Sequence, residues 1–249
     1  MSPRVSVVIP AYRCEKTAEE SIRSALRQTV RDIEVIAVDD GSDDGTPEIL
    51  ARLQKEDARV RVITLLKNGG VANARNCGVN DARAERIAFL DSDDLWEPDK
   101  LDRQLAVMEK TGAALVFTAA VCIDERGEPT GKIFHAPETV TANRLLSGND
   151  IVTSTVLVQR TVYERHPMEH SHLHEDVISW YRILKDGAKA VGIDEPLARY
   201  RVTKSSKTGS KVRSAGMMWN TYRCLGIGPF RRILCFAGYL LHGVRRYWL

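Results

Sequence analysis

The sequence has no Cys-x-x-Cys pair, no Gly-x-x-x-x-Gly-Lys-Ser/Thr loop, no internal repeat and no low-complexity block. Its cysteines (Cys14, Cys77, Cys122, Cys224 and Cys235) are odd in number and scattered. That argues against a disulfide framework or a structural zinc site and for a reducing compartment. The missing phosphate loop argues against a P-loop kinase. No signal peptide precedes Val5, where the first strand is expected. The apolar patch Ile233–Val244 covers 12 residues, well short of the ~20 needed to span a bilayer. Acidic residues are absent after Glu195, where 11 lysines and arginines follow. The remaining 25 of the 36 basic residues face all 33 acidic ones, so the body is at −8 beneath a basic tail. Such a tail points to a polyanionic partner: nucleic acid, an anionic membrane surface, or phosphates.

What is present is ordinary for one soluble domain of 249 residues, 43% hydrophobic and 28% charged. Strands are expected at Val5–Ile9, Ile33–Val38, Val60–Leu65 and Ile87–Leu90. Helices are expected from Glu15 or Thr17 to about Gln28, from an N-cap at Thr46 through Lys55, over Ala72–Ala82, and from about Asp99 to Lys110. This alternation predicts an α/β fold, a parallel sheet flanked by helices. Beyond it, Leu115–Cys122 reads as a strand turning at Asp124–Gly127 into a hairpin, and Ile151–Gln159 as a β-rich run. A short helix is expected near Thr161–Arg165, and another from about Asp176 to Gly187. Thr203–Ser214, rich in Ser, Thr, Lys and Gly, lacks apolar periodicity and is expected to be mobile or ordered by a ligand.

The strand Ile87–Leu90 ends in three carboxylates, Asp91, Asp93 and Asp94. Extended backbone puts Asp91 and Asp93 on one side and Ser92 on the other. Carboxylates that close repel unless a cation separates them. A hard divalent ion suits one or two carboxylates plus phosphate oxygens. Alone, this is also a solvated acidic turn before a helix. Ligands of parallel sheets bind beyond the carboxyl ends of the strands, which would gather Pro10–Arg13, Asp39–Thr46 and Asp91–Trp96 at one rim.

Five segments in order carry a resemblance: Val5-Ser-Val-Val-Ile-Pro-Ala-Tyr12, Val38-Asp-Asp-Gly-Ser-Asp-Asp-Gly-Thr46, Gly70–Asn76, Phe89-Leu-Asp-Ser-Asp-Asp-Leu-Trp96 and Glu175-Asp176. Over roughly residues 4 to 201 the chain resembles family 2 glycosyltransferases. The resemblance implies the GT-A nucleotide-sugar fold across 1–202, with a nucleotide-binding half (1–120), an acceptor half (121–202) and a basic amphipathic tail (203–249). It implies that Asp40 accepts from the nucleobase imino N–H and that Pro10, Ala11 and Tyr12 line the base. Arg75, Asp91 and Ser92 would meet nucleotide, ribose or phosphate, and Asp93, with Asp91, would hold Mn²⁺ or Mg²⁺. Asp176 would be the general base of an inverting transfer, with Glu175 and His174 at the acceptor. The expected donor is a UDP-sugar, with GDP- and dTDP-sugars as alternatives, and the acceptor a glycan or lipid-linked sugar.

Two positions depart from the family pattern. Arg13 stands where an Asn often follows the tyrosine. Tyr200-Arg201 lacks a following histidine, a contact that Arg201, Lys204 or Lys207 would replace. The tail, with basic ends around Ile233–Val244, fits a helix in a membrane interface or one packed on the domain, and places the enzyme peripherally at the cytoplasmic face of the cell membrane. His166, His170, His172 and His174 lack a metal-binding spacing; Asp94 reads as a cap or supporting residue. A nucleotidyltransferase on a similar sheet, or a basic-tailed protein binding nucleic acid or anionic lipid, are the alternative readings.

Overall fold

The computed structural model describes residues 2–203 and 211–248. In chain order the first half comprises β1 (Val5–Ala11), α1 (Ala18–Leu26), β2 (Ile33–Asp39), α2 (Thr46–Glu56), β3 (Val60–Thr64), α3 (Val71–Asp81), β4 (Arg86–Phe89), β5 (Leu95–Trp96) and α4 (Lys100–Thr111). The second half comprises β6 (Leu115–Ile123), β7 (Pro129–Phe134), α5 (Ala142–Ser147), a 3₁₀ turn at Thr153–Thr155, β8 (Leu157–Gln159), α6 (Arg160–Arg165), α7 (Glu175–Lys185), β9 (Ala190–Arg201), α8 (Lys211–Cys224) and α9 (Pro229–Trp248).

One sheet runs β3-β2-β1-β4-β8-β6-β9-β5, with β7 paired to β6. Strands β1 to β4 are parallel; β8 opposes both β4 and β6, so the sheet becomes mixed where the second half begins. Both faces are buried, which explains the near-continuous apolar runs. Along β1, Val5, Val7 and Ile9 pack with Ile22, Leu50 and Leu105 on one face, and Val8 packs with Phe89, Tyr163 and Trp180 on the other. Ala11 is level with Asp39, and Asp39 with Thr64, so the loops after β1, β2 and β3 leave from one edge.

Some expectations need correction. Thr46 does not cap α2: Gly45 occupies that position, and Thr46 Oγ1 instead accepts from the Cys14 amide at 2.9 Å. The β-rich run Ile151–Gln159 yields only the short β8. Its first part is the 3₁₀ turn, because the Ser154 and Thr155 carbonyls accept from Trp96 Nε1 (2.6 Å) and Gln104 (2.8 Å) instead of entering a ladder. Strand β9 has no clear sequence signal, since Gly192, Asp194, Glu195 and Pro196 interrupt it and its register with β6 shifts. In the stretch Thr203–Ser214, expected to be mobile or ordered by a ligand, residues from Lys211 onward belong to α8, while Lys204 and Lys207 lie outside the described residues.

Helix α9 packs on the domain along one face and is exposed along another. Cys235, Phe236 and Tyr239 pack inward with the main core. Phe230, Ile233, Leu234, Ala237, Leu240, Leu241 and Val244 form an exposed stripe at helical spacing on the other side. Among the described residues, no helix is long and apolar enough to cross a membrane.

Candidate active site

The first loops meet at the rim. Asp40 is buried at the end of β2, and its carboxylate accepts from the amides of Gly69 and Gly70, both at 2.8 Å. Gly70 has a φ of 87° and lies so close to Ser171 that a Cβ would stand 2.6 Å from its Oγ, so both conformation and space require glycine. Arg13 adopts a φ of 49°, a left-handed conformation that asparagine tolerates better than most residues. Its guanidinium pairs with both oxygens of Asp43 at 2.6 Å and lies 5.3 Å over the Tyr12 ring. Tyr12 is exposed at this edge, whereas Pro10 and Ala11 are buried in the strand end.

The second acidic loop is built differently. The Asp91 amide donates to Ser154 Oγ at 3.1 Å, which seats the loop on the 3₁₀ turn. Arg75, reaching from α3, donates to Asp91 at 2.5 Å and to Glu175 at 3.2 Å. Burial works against that guanidinium, but the two carboxylates outweigh it and hold the charge firmly. Arg75 Nε is buried and, among the described residues, has no hydrogen-bond partner. Glu175 is nearly inaccessible, so it braces Arg75 and does not present itself to solvent.

Among the described residues no ion pair holds Asp93, although the charges of Arg201 and Arg75 favour its carboxylate. Burial, then repulsion from Asp91, lifts its carboxyl to about 6 from an ordinary 3.8. Asp94 is buried outright and raised well above its ordinary value by desolvation and by Asp93; it accepts from the Arg201 amide at 2.8 Å, a bracing role. Arg201 itself is consumed by carbonyls of Asp93, Asp124 and Glu125 and by Glu20, which ties the loop to β9 and the hairpin.

Asp176 sits in the first turn of α7, where acidic side chains are favoured. One of its oxygens accepts from Asn149 Nδ2 at 3.0 Å. His174, just ahead of the helix, makes a 3.1 Å hydrogen bond through Nε2 to the Ser214 carbonyl on α8.

A cavity of about 600 Å³ joins these groups. Arg75, Asp91, Asp93, His174, Glu175 and Asp176 line it, and so do Asn149, Met218, Tyr239, Leu240 and Val244. Pro10, Ala11, Tyr12, Asp40 and Ser92 do not line it. Of these only Tyr12 is exposed; Asp40 is linked through Gly70 to Val71, which does line it. Sequence reasoning missed Asn149 and the α8–α9 wall, since an isolated asparagine carries no signal and the wall is contributed by residues far downstream.

The donor set fits a divalent ion in one respect. Asp93 is a carboxylate kept in an unfavourable charged environment beside Asp91, which a cation would relieve. Among the described residues, no cluster of three or more His, Cys, Asp or Glu side chains could hold a metal, so phosphate oxygens of a donor would have to complete the ion's shell.

Residues 6–166 match the model of glycosyl transferase family 2. TuaG of Bacillus subtilis (strain 168), provisionally named a teichuronic acid biosynthesis glycosyltransferase, is 36% identical over 98% of this chain and 97% of its own length. WfgD of Escherichia coli, a UDP-Glc:alpha-D-GlcNAc-diphosphoundecaprenol beta-1,3-glucosyltransferase, is 32% identical over 98% of this chain and 94% of its own. Among solved structures, Staphylococcus aureus TarS (residues 1–349) in complex with UDP-GlcNAc superposes with a TM-score of 0.74 at 20% identity, over 98% of this chain and 73% of that one. Mannosyltransferase PcManGT from Pyrobaculum calidifontis, in complex with GDP-Man and Mn²⁺, gives 0.71 at 20% identity, over 96% and 70%. These two share the GT-A fold with this chain. On the family match and the relatives that span its length, the chain belongs to glycosyl transferase family 2 and is a glycosyltransferase.

Proposed function

We propose that this enzyme transfers a sugar, with inversion, from a nucleotide-diphosphate donor to a hydroxyl of a lipid-linked glycan at the cytoplasmic membrane surface. One observation carries the reading: the cavity that holds Asp93 and Asp176 continues to Met218, Leu240 and Val244, the last two belonging to the exposed stripe of α9. A polar acceptor head and an apolar tail would each find a matching wall. The printed substrate of WfgD, a sugar on diphosphoundecaprenol, has that dual chemistry.

In this reading Tyr12 and Asp40 receive the base, while Arg75 and the Asp91–Asp93 loop receive the ribose and diphosphate. Asp93, with Asp91, would hold Mg²⁺ or Mn²⁺, which when bound supplies charge neutralisation for the leaving diphosphate. Asp176 takes the proton of the acceptor hydroxyl as its oxygen bonds to the anomeric carbon and the bond to the diphosphate oxygen breaks. Asn149 holds one carboxylate oxygen of Asp176; among the described residues, no hydrogen bond occupies the other. The stripe, with Arg231 at its start, suits a helix lying in an anionic interface.

A thermal-shift screen of UDP-, GDP- and dTDP-sugars with and without Mn²⁺ tests the reading, because a ligand that binds the native state raises its melting temperature. One donor should stabilise the protein only with the metal and release a nucleoside diphosphate. Release of pyrophosphate would assign a nucleotidyltransferase instead. Asp176→Asn should keep the donor-induced shift and lose roughly 10²- to 10⁴-fold in transfer; near-normal turnover would remove the base assignment.

A further inference from the structure

The inward face of α9 meets residues 147–150 more closely than ordinary packing requires. A Cβ on Gly238 would stand 3.0 Å from Ser147 Cβ. One on Gly148 would stand 2.4 Å from Cγ of His242. The Gly148 φ of 173° is ordinary extended backbone, so the need there is for space alone. Within this contact, His242 Nε2 bonds to one oxygen of Asp150 at 2.8 Å, and Arg144 Nε donates to the other at 2.8 Å. Burial works against the Asp150 charge, yet these two hydrogen bonds hold its carboxyl below the ordinary value. Asp150 is thus clamped between α9 and α5.

The next residue back is Asn149, whose Nδ2 donates to Asp176 and whose Oδ1 accepts from the Ile151 amide at 3.0 Å. The second bond fixes which way the amide faces, so its donor points at the carboxylate. Two successive side chains therefore join the docked helix to the acidic residue at the cavity.

We infer that Asn149 and Asp150 form a positioning link through which the docking of α9 sets the orientation of the Asp176 carboxylate. The link rests on the reading of Asp176 as general base. A misplacement of about 1 Å at a reacting group costs up to about 10²-fold in rate, so a hinge of this length is enough to matter. The same helix carries the exposed apolar stripe, which puts the inward contact and the outward surface on one rigid element. Whatever holds α9 in place also holds the base.

Amide hydrogen exchange on the full chain tests the coupling without requiring turnover. His242→Ala should speed exchange at residues 149–152 and 175–178 as well as in α9, and His242→Gln, which keeps a donor toward Asp150, should restore protection. Faster exchange confined to α9 would overturn the link. Kinetics with UDP-glucose, Mn²⁺ and N-acetylglucosamine on farnesyl diphosphate supply the second readout. Asn149→Ala should lower kcat by about 10-fold or more while the KM for UDP-glucose stays within about two-fold. Adding His242→Ala to it should cost little further, whereas additive losses would sink the proposal. If Asp176→Asn stays active but the exchange pattern persists, the base reading fails and the physical coupling stands.

Discussion

Two acidic loops stand at the same sheet edge and differ in how their charge is met. In the loop after β2, Asp43 is held low by the Arg13 guanidinium in the open. Asp44 is held low as well, because hydrogen bonds from Thr46 and the Glu15 amide overcome its burial. In the loop after β4, burial dominates: it lifts Asp93 to about 6 and raises Asp94 well above the ordinary carboxylate value. Similar residues therefore play opposite parts. An exposed acidic loop met by donors is settled structure; a desolvated one in which Arg75 and Arg201 do not offset burial and the Asp91 charge is poised for another cation.

The sharpest way to break this contrast is Arg75→Met. It leaves Asp91 and Glu175 without their shared cation, and losing one partner of such a buried pair costs about 3–5 kcal/mol. Urea unfolding should show that loss, and a stability near that of the unaltered protein would mean the second loop is not held by Arg75. Next, Asp93→Asn should reduce transfer by roughly 10²- to 10³-fold and abolish the Mn²⁺ requirement of the donor-induced thermal shift, without unfolding the chain. Retained metal dependence would move the ion elsewhere.

The pH dependence follows from the same group. Its carboxyl is lifted from 3.8 to about 6 in the metal-free fold. The folded state therefore holds a proton that the unfolded chain has lost between those values, so stability falls as pH rises from about 3.8 to about 6 and the full cost of ionising Asp93 persists above that. Metal competes for the ionised form. The Mn²⁺-dependent stabilisation should be full near pH 7.5 and fade as pH falls through about 6, while Asp93→Asn should flatten that trend. The smallest effect belongs to the settled loop. Arg13→Ala removes an exposed pair and should leave the melting temperature unchanged, with any loss confined to donor KM through the Tyr12 contact.

The two halves of the chain were unequally readable. Strands β1, β2 and β4 declared themselves because they are apolar runs buried on both faces and bounded by turn residues, and Asp91, Asp93 and Asp176 stand in motifs that keep their order. Strand β9 did not, since its pairing with β6 tolerates a bulge and a proline that local propensity penalises. Arg75 and Glu175 were found but not their mutual pairing, because 100 residues separate the partners.

By itself the sequence determined the parallel half of the sheet, the acidic loops at its rim and the amphipathic character of the C-terminal segment. These rest on local periodicity and turn chemistry, which act within a few residues. Only the tertiary structure decided which carboxylates are satisfied, that α8 and α9 close the cavity, and that Asn149 touches Asp176. Desolvation and side-chain contact depend on what packs from distant parts of the chain, and no local pattern encodes that.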